Sequence, residues 1–176
     1  FGYYSKPPLF SWLISLVSFF FGDSFFVLKA IPLILYYITS YLIFVFAKKL
    51  FNNFTLAICC AITFFLLPSV SLSSFLLSTD CLLIFFWTWG LIQVLKIKEN
   101  PSYINFIILG FVVGFAFLTK YAAIYFIISL FFLATIEKDF RLLFFKSKTK
   151  LIISFLILML VLLPNIMWNY QNDQYQ

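Results

Sequence analysis

Four charged side chains, Lys6, Lys29, Asp80 and Lys120, sit at the edges of long apolar runs. A charge drawn to the bilayer centre costs about 2.5–3.5 kcal/mol, so charges kept at such edges usually face a wet cavity or a partner. A lysine ammonium holds phosphate as a point charge. An aspartate can bind hydroxyls or amines, or act as a general base. Tyr3, Tyr4 and Trp12, close to Lys6 in the chain, offer flat apolar faces that suit sugar rings. This set of residues suits a substrate carrying both a phosphate and a sugar. A lipid phosphate as leaving group would explain a site at the membrane surface. Many transporters share such a set, and the plainer alternative is that each charge marks where a helix meets water.

The elements that must position these residues are membrane helices. Of the 176 residues, 64% are hydrophobic and 10% charged, against roughly 25% charged in an average soluble domain. A soluble domain of this size must keep a large polar surface in water, which this chain cannot supply. Long apolar runs instead predict an all-α, polytopic membrane protein. The net charge of +6 does not indicate a nucleic-acid binder, because the basic residues lie in short loops between apolar runs. The chain has no histidine, which removes Ser-His-Asp and Cys-His catalysis and histidine-ligated metals within it. Cys59, Cys60 and Cys81 have neither disulfide nor metal-ligand spacing and read as packing residues. No Gly-rich phosphate loop occurs, which argues against a nucleotide-driven pump.

Pro7 and Pro8 suit the start of a helix over residues 9–22, about 20 Å long and so short of the roughly 30 Å hydrocarbon core. An interfacial or re-entrant helix fits that run. Six spans are expected at about 28–47, 55–70, 81–95, 103–118, 121–136 and 151–168. Of the 12 Lys and Arg residues, all but Lys6, Lys29 and Lys120 fall in three loops, 48–54, 96–102 and 137–150. Alternating spans put those loops on one face, which is expected to be cytoplasmic. The opposite, outer side receives Lys6, Lys29, Asp80, Lys120, Asn165 and Trp168. Gly110 and Gly114 form a Gly-x-x-x-Gly face suited to helix packing. The pairs Tyr36-Tyr37 and Trp87-Thr88-Trp89 read as packing or lipid contacts.

The stretch Gly2-Tyr3-Tyr4-Ser5-Lys6-Pro7-Pro8-Leu9-Phe10-Ser11-Trp12-Leu13 resembles the first outer loop of bacterial GT-C glycosyltransferases of the family 39/83 type. These enzymes are relatives of protein O-mannosyltransferases and of the lipid A 4-amino-arabinose transferase. The similarity continues in register through Gly22 to Pro32, where arginine is more usual than Lys29, and through Leu77-Ser78-Thr79-Asp80. It extends through Gly110-x3-Gly114 to Leu118-Thr119-Lys120, and through Pro164-Asn165-x2-Trp168-Asn169, covering essentially the whole chain.

The resemblance implies transfer of a sugar from a polyprenyl-phosphate donor to a lipid, glycan or protein acceptor on the periplasmic face of a bacterial inner membrane. It implies that Lys6 and Lys120 contact the donor phosphate and that Asp80 lies by the sugar; by residue chemistry alone Lys29 is expected to join the phosphate contacts, and Tyr3 and Tyr4 to face the sugar. The family's Asp-Glu motif precedes the Lys-Pro-Pro stretch and is absent here, so the catalytic acid is expected upstream of Phe1. Both ends look like cuts, and residues 1–176 are expected to be a piece of a longer transmembrane domain, inactive alone. No cofactor is evident, and a divalent metal at Lys6 and Asp80 would need upstream acids. A flippase or transporter for lipid-linked sugars would show charges deep inside spans and related halves, and neither is seen. An inert gene remnant is the remaining alternative.

Overall fold

The computed structural model describes residues 7–172. Pro7 and Pro8 lead directly into helix α1, Leu9–Phe21, which is 13 residues long, as short as its sequence predicts. Gly22 ends it with φ +81°, and its N–H returns to the Ser18 carbonyl at 2.8 Å. That left-handed geometry is open to glycine and strained for most other residues. Ser24 then caps α2, Phe25–Phe51, by accepting from the Val27 N–H at 3.3 Å. Asn52, at φ 49°, closes α2 by returning its N–H to the Lys48 carbonyl. Lys48 and Lys49 in the last turn complement the helix dipole. Asn53 caps α3, Phe54–Leu66, through the Leu56 N–H at 3.0 Å.

Pro68 lacks the N–H that would continue α3, so the chain restarts as a short helix, α4, Pro68–Ser73. The long α5, Thr79–Glu99, follows, and then α6, Tyr103–Thr119, capped by Ser102. A 3₁₀ turn at Tyr121–Ala123 leads into α7, Ile124–Ile136. Next come α8, Lys138–Lys146, and α9, Lys148–Asn172, which contains Pro164. Among the described residues there is no strand.

All six predicted spans are helical, but their lengths differ. Helices α2, α5 and α9 are long and apolar enough to cross a membrane singly. A fourth crossing follows if the segment Tyr121–Ile136 and α8, bent by 110°, count as one. Helices α1, α3 and α6 are shorter apolar helices; the 17 residues of α6 rise about 26 Å. The basic segment 137–150, read from sequence as a loop, folds instead into α8 and the start of α9. Asp139 opens α8, Lys146 closes it, and the Phe140 and Phe144 rings meet one turn apart at 4.6 Å.

The chain divides into two compact units, which meet in sequence within α5, between Ile92 and Gln93. In the first, α2 packs along α3, and α1 packs on α2. Buried Thr39, Ala47 and Ala57 keep the α2 and α3 backbones close. The Ser40 hydroxyl donates to the Ala61 carbonyl across that interface at 2.9 Å, and Tyr36 packs against Phe64. In the second unit, α6 packs along α9. A Cβ on Gly110 would run into the Ser154 carbonyl, and one on Gly114 would lie 3.0 Å from the Val161 Cβ. The Gly-x-x-x-Gly face is therefore the α6–α9 contact. Hydroxyls within apolar helices are satisfied locally: Thr39, Thr88, Thr119 and Ser129 each donate to the carbonyl four residues back.

Candidate functional site at the helix ends

Asp80 is the second residue of α5, so its carboxylate stands beside the positive end of a helix dipole. Ser78 fixes it there. Its hydroxyl donates to Asp80 Oδ2 at 2.9 Å and accepts from the Asp80 N–H at 3.2 Å, while Cys81 Sγ donates to the Ser78 carbonyl at 2.9 Å. Lys29 reaches toward the same segment from the first turns of α2. Its ammonium lies 5.3 Å from the Phe25 ring centroid and donates to the Phe75 carbonyl, in the turn between α4 and α5. Tyr36, 2% exposed, completes the group. Its hydroxyl lies near Ser73 and close enough to Asp80 to feel that carboxylate. One end of the first unit thus gathers a carboxylate, a phenol, an ammonium and several hydroxyls in apolar surroundings. Such a set can bind hydroxyl-bearing and anionic ligands.

Lys120 belongs to the second unit. It ends α6 with extended backbone, its N–H bonded to the Ala116 carbonyl and its own carbonyl accepting from the Ala123 N–H, both at 3.0 Å. The switch from α to extended backbone before a 3₁₀ turn sends its side chain outward, and Lys120 is exposed while Thr119 beneath it is fully buried. Asn165, also buried, follows Pro164 in α9.

The structure therefore brings Lys29 and Asp80 to one end of the first unit and sets Lys120 at a helix end of the second. Lys6, Tyr3 and Tyr4 lie outside the described residues. Among the described residues no three His, Cys, Asp or Glu side chains stand together as a metal site.

Tyr36 and Tyr37, read from sequence as packing or lipid contacts, differ in surroundings: Tyr36 is buried and packs against Phe64. Tyr37 is 70% exposed. Helical phase separates the two, since Tyr36 shares its face with buried Pro32 and Thr39. A group that sequence reasoning missed is Gln93, fully buried, whose Nε2 donates to the Asn105 carbonyl at 2.9 Å and to Asn105 Oδ1 at 3.1 Å. Asn105 Nδ2 in turn donates to the Asn100 carbonyl at 2.8 Å, closing the turn between α5 and α6.

Long apolar helices with charges gathered toward their ends define a multi-pass integral-membrane protein. Residues 5–168 match the model of the dolichyl-phosphate-mannose-protein mannosyltransferase family, and the chain belongs to that family of GT-C glycosyltransferases. It is 30% identical over 178 aligned positions to the lipid A galacturonosyltransferase RgtD of Rhizobium johnstonii (strain DSM 114642 / LMG 32736 / 3841). That alignment covers 98% of this chain and 36% of the relative, so the chain spans about a third of that protein's length. No solved structure matches the chain.

Proposed function

We propose that residues 1–176 form part of the membrane domain of a glycosyltransferase. The full-length protein would move a sugar from a polyprenyl-phosphate donor to a lipid, glycan or protein acceptor on the outer face of a bacterial inner membrane. The observation that carries this reading is the segregation of charge along the helices. Lys29 opens α2 while Lys48 and Lys49 close it, and Asp80 opens α5 while Lys96 and Lys98 close it. Lys120 ends α6 at the pole opposite the turn that follows Lys98. Basic residues favour the cytoplasmic side, which leaves Asp80, Lys29 and Lys120 to the outer one.

In the proposed reaction, the bond between the sugar's anomeric carbon and the donor phosphate oxygen breaks as an acceptor oxygen bonds to that carbon from the opposite side. The acceptor loses its proton, and the lipid phosphate leaves with the bonding electrons. Lys6, Lys29 and Lys120 would neutralise the phosphate as its charge grows. Lys29 would first have to release the Phe75 carbonyl. Asp80 would hold sugar hydroxyls, with Tyr3 and Tyr4 against the ring. The acceptor's proton is left to an acidic motif ahead of Lys6, as the family resemblance implies.

The test is full-length protein in proteoliposomes supplied with a polyprenyl-phosphate-linked sugar or with the same sugar as a nucleotide diphosphate ester. Transfer from the lipid-linked donor alone is expected. Movement of intact donor across the bilayer without release of its sugar would mark a flippase and overturn the proposal.

A further inference from the structure

The second unit carries a groove that the sugar-transfer reading does not use. It has a volume of about 430 Å³ and is lined by Phe131, Ala134, Phe144, Phe145 and Leu151, with Arg141 and Lys148 its charged lining residues. Past Phe131, Ala134, Phe144 and Leu151 it adjoins a second hollow of about 260 Å³, which reaches Gly110 and Ser154 at the α6–α9 contact. An apolar cleft of this size with a few convergent polar groups has the form of a small-molecule site.

The neighbouring charges are disposed in a consistent way. Lys98 pairs with Glu137, and Lys150 donates to the Pro101 carbonyl and lies 5.1 Å from the Tyr103 ring centroid. Those two cations hold the protein's own turns. Arg141 and Lys148 instead line the groove, Lys148 lying 5.6 Å from the ring centroid of Phe145, a groove residue. Glu137 is engaged by Lys98. Asp139 is two residues from Arg141 on α8, a spacing that points the two side chains to opposite sides of a helix. Helix α8 turns 110° from the preceding apolar segment and exposes Leu142 and Phe145. An amphipathic helix turned across a span in this way suits the plane of the membrane interface, with cations at headgroup level and apolar side chains below.

We infer that this groove binds an anionic phospholipid of the leaflet on the basic face, with its phosphate on Arg141 and Lys148 and an acyl chain along Phe131, Phe144 and Leu151. Charge complementarity selects that occupant. A zwitterionic lipid would bring its own ammonium beside the two cations and no net negative charge to balance them, and a soluble anion would leave the apolar floor uncovered. Basic pockets between membrane helices on the cytoplasmic side take anionic headgroups by the same chemistry.

The experiment uses full-length protein purified from mixed phosphatidylglycerol and phosphatidylcholine bilayers, with retained lipid measured by native mass spectrometry. Phosphatidylglycerol is expected to be retained preferentially. The double variant Arg141→Gln/Lys148→Gln should lose at least five-fold of it, while Lys96→Gln, on the same basic face, should retain it as the unaltered protein does. Equal retention of phosphatidylcholine, full retention by the double variant, or an equal loss in Lys96→Gln would each overturn the inference. Independently of any variant, phosphatidylglycerol carrying a photoreactive acyl chain should label α7, α8 or α9 within the groove. Labelling confined to other helices would contradict it.

Discussion

At the residue scale, the arrangement around Asp80 depends on one hydroxyl. Ser78 both receives the Asp80 N–H and donates to its carboxylate, so Ser78→Ala removes a helix cap and frees the carboxylate rotamer together. Loss of a cap costs about 1 kcal/mol. A lowered melting temperature and slower sugar transfer are expected in the same variant, measured by thermal unfolding in detergent and by turnover. Tyr36→Phe, which removes a buried hydroxyl near Ser73, should likewise cost about 1 kcal/mol. Tyr37→Phe, on the exposed side of the same helix, should leave unfolding unchanged. Equal effects of the two would refute the distinction drawn from helical phase. The sequence marks Asp80 as a lone acid at the edge of an apolar run, but its tie to Ser78 shows only in the structure. The tie from Lys29 to the Phe75 carbonyl was not legible, since it joins residues 46 apart and a backbone carbonyl has no sequence signature.

At the element scale, the α6–α9 contact is the most constrained part of the second unit. Gly110 lies under the Ser154 carbonyl, and a backbone cannot step aside as a side chain can. Overpacking a tight contact typically costs 1–3 kcal/mol, so Gly110→Val should destabilise by about 2 kcal/mol or more and sharply reduce the yield of folded protein. Lys98→Gln should change stability by less than about 1 kcal/mol, because the ion pair with Glu137 is partly exposed. Thermal melts of both variants check this order. The Gly-x-x-x-Gly spacing announced the helix contact, though not its partner. Helix α8 was obscured by its charge density, which resembles a loop until Phe140 and Phe144 are read as a pair one turn apart. The end of α3 was also hidden, because the apolar run to residue 70 shows no break at Pro68, whereas the bounds of α6 and of the segment 121–136 were read to within a residue.

At the scale of the whole molecule, the proposed chemistry depends on which compartment each helix end meets. The all-α membrane class was legible in composition and apolar runs, and family membership in five short motifs kept in order. Motif order carries no information on how many helices cross, and among the described residues only α2, α5 and α9 suffice by length alone. Single cysteines placed at Lys49 and Lys120, with Cys59, Cys60 and Cys81 replaced, should be labelled by a membrane-impermeant thiol reagent from opposite sides, Lys120→Cys from outside. Labelling from one side would break the proposed topology. The central claim is that Lys120 and Asp80 serve transfer of a sugar from a lipid phosphate, and turnover by the full-length protein in proteoliposomes tests it most directly. Lys120→Ala and Asp80→Asn should each lower transfer from a polyprenyl-phosphate-linked sugar at least 100-fold, about 2.7 kcal/mol of transition-state stabilisation, with insertion and melting temperature retained. Unaltered turnover in either well-folded variant would contradict it.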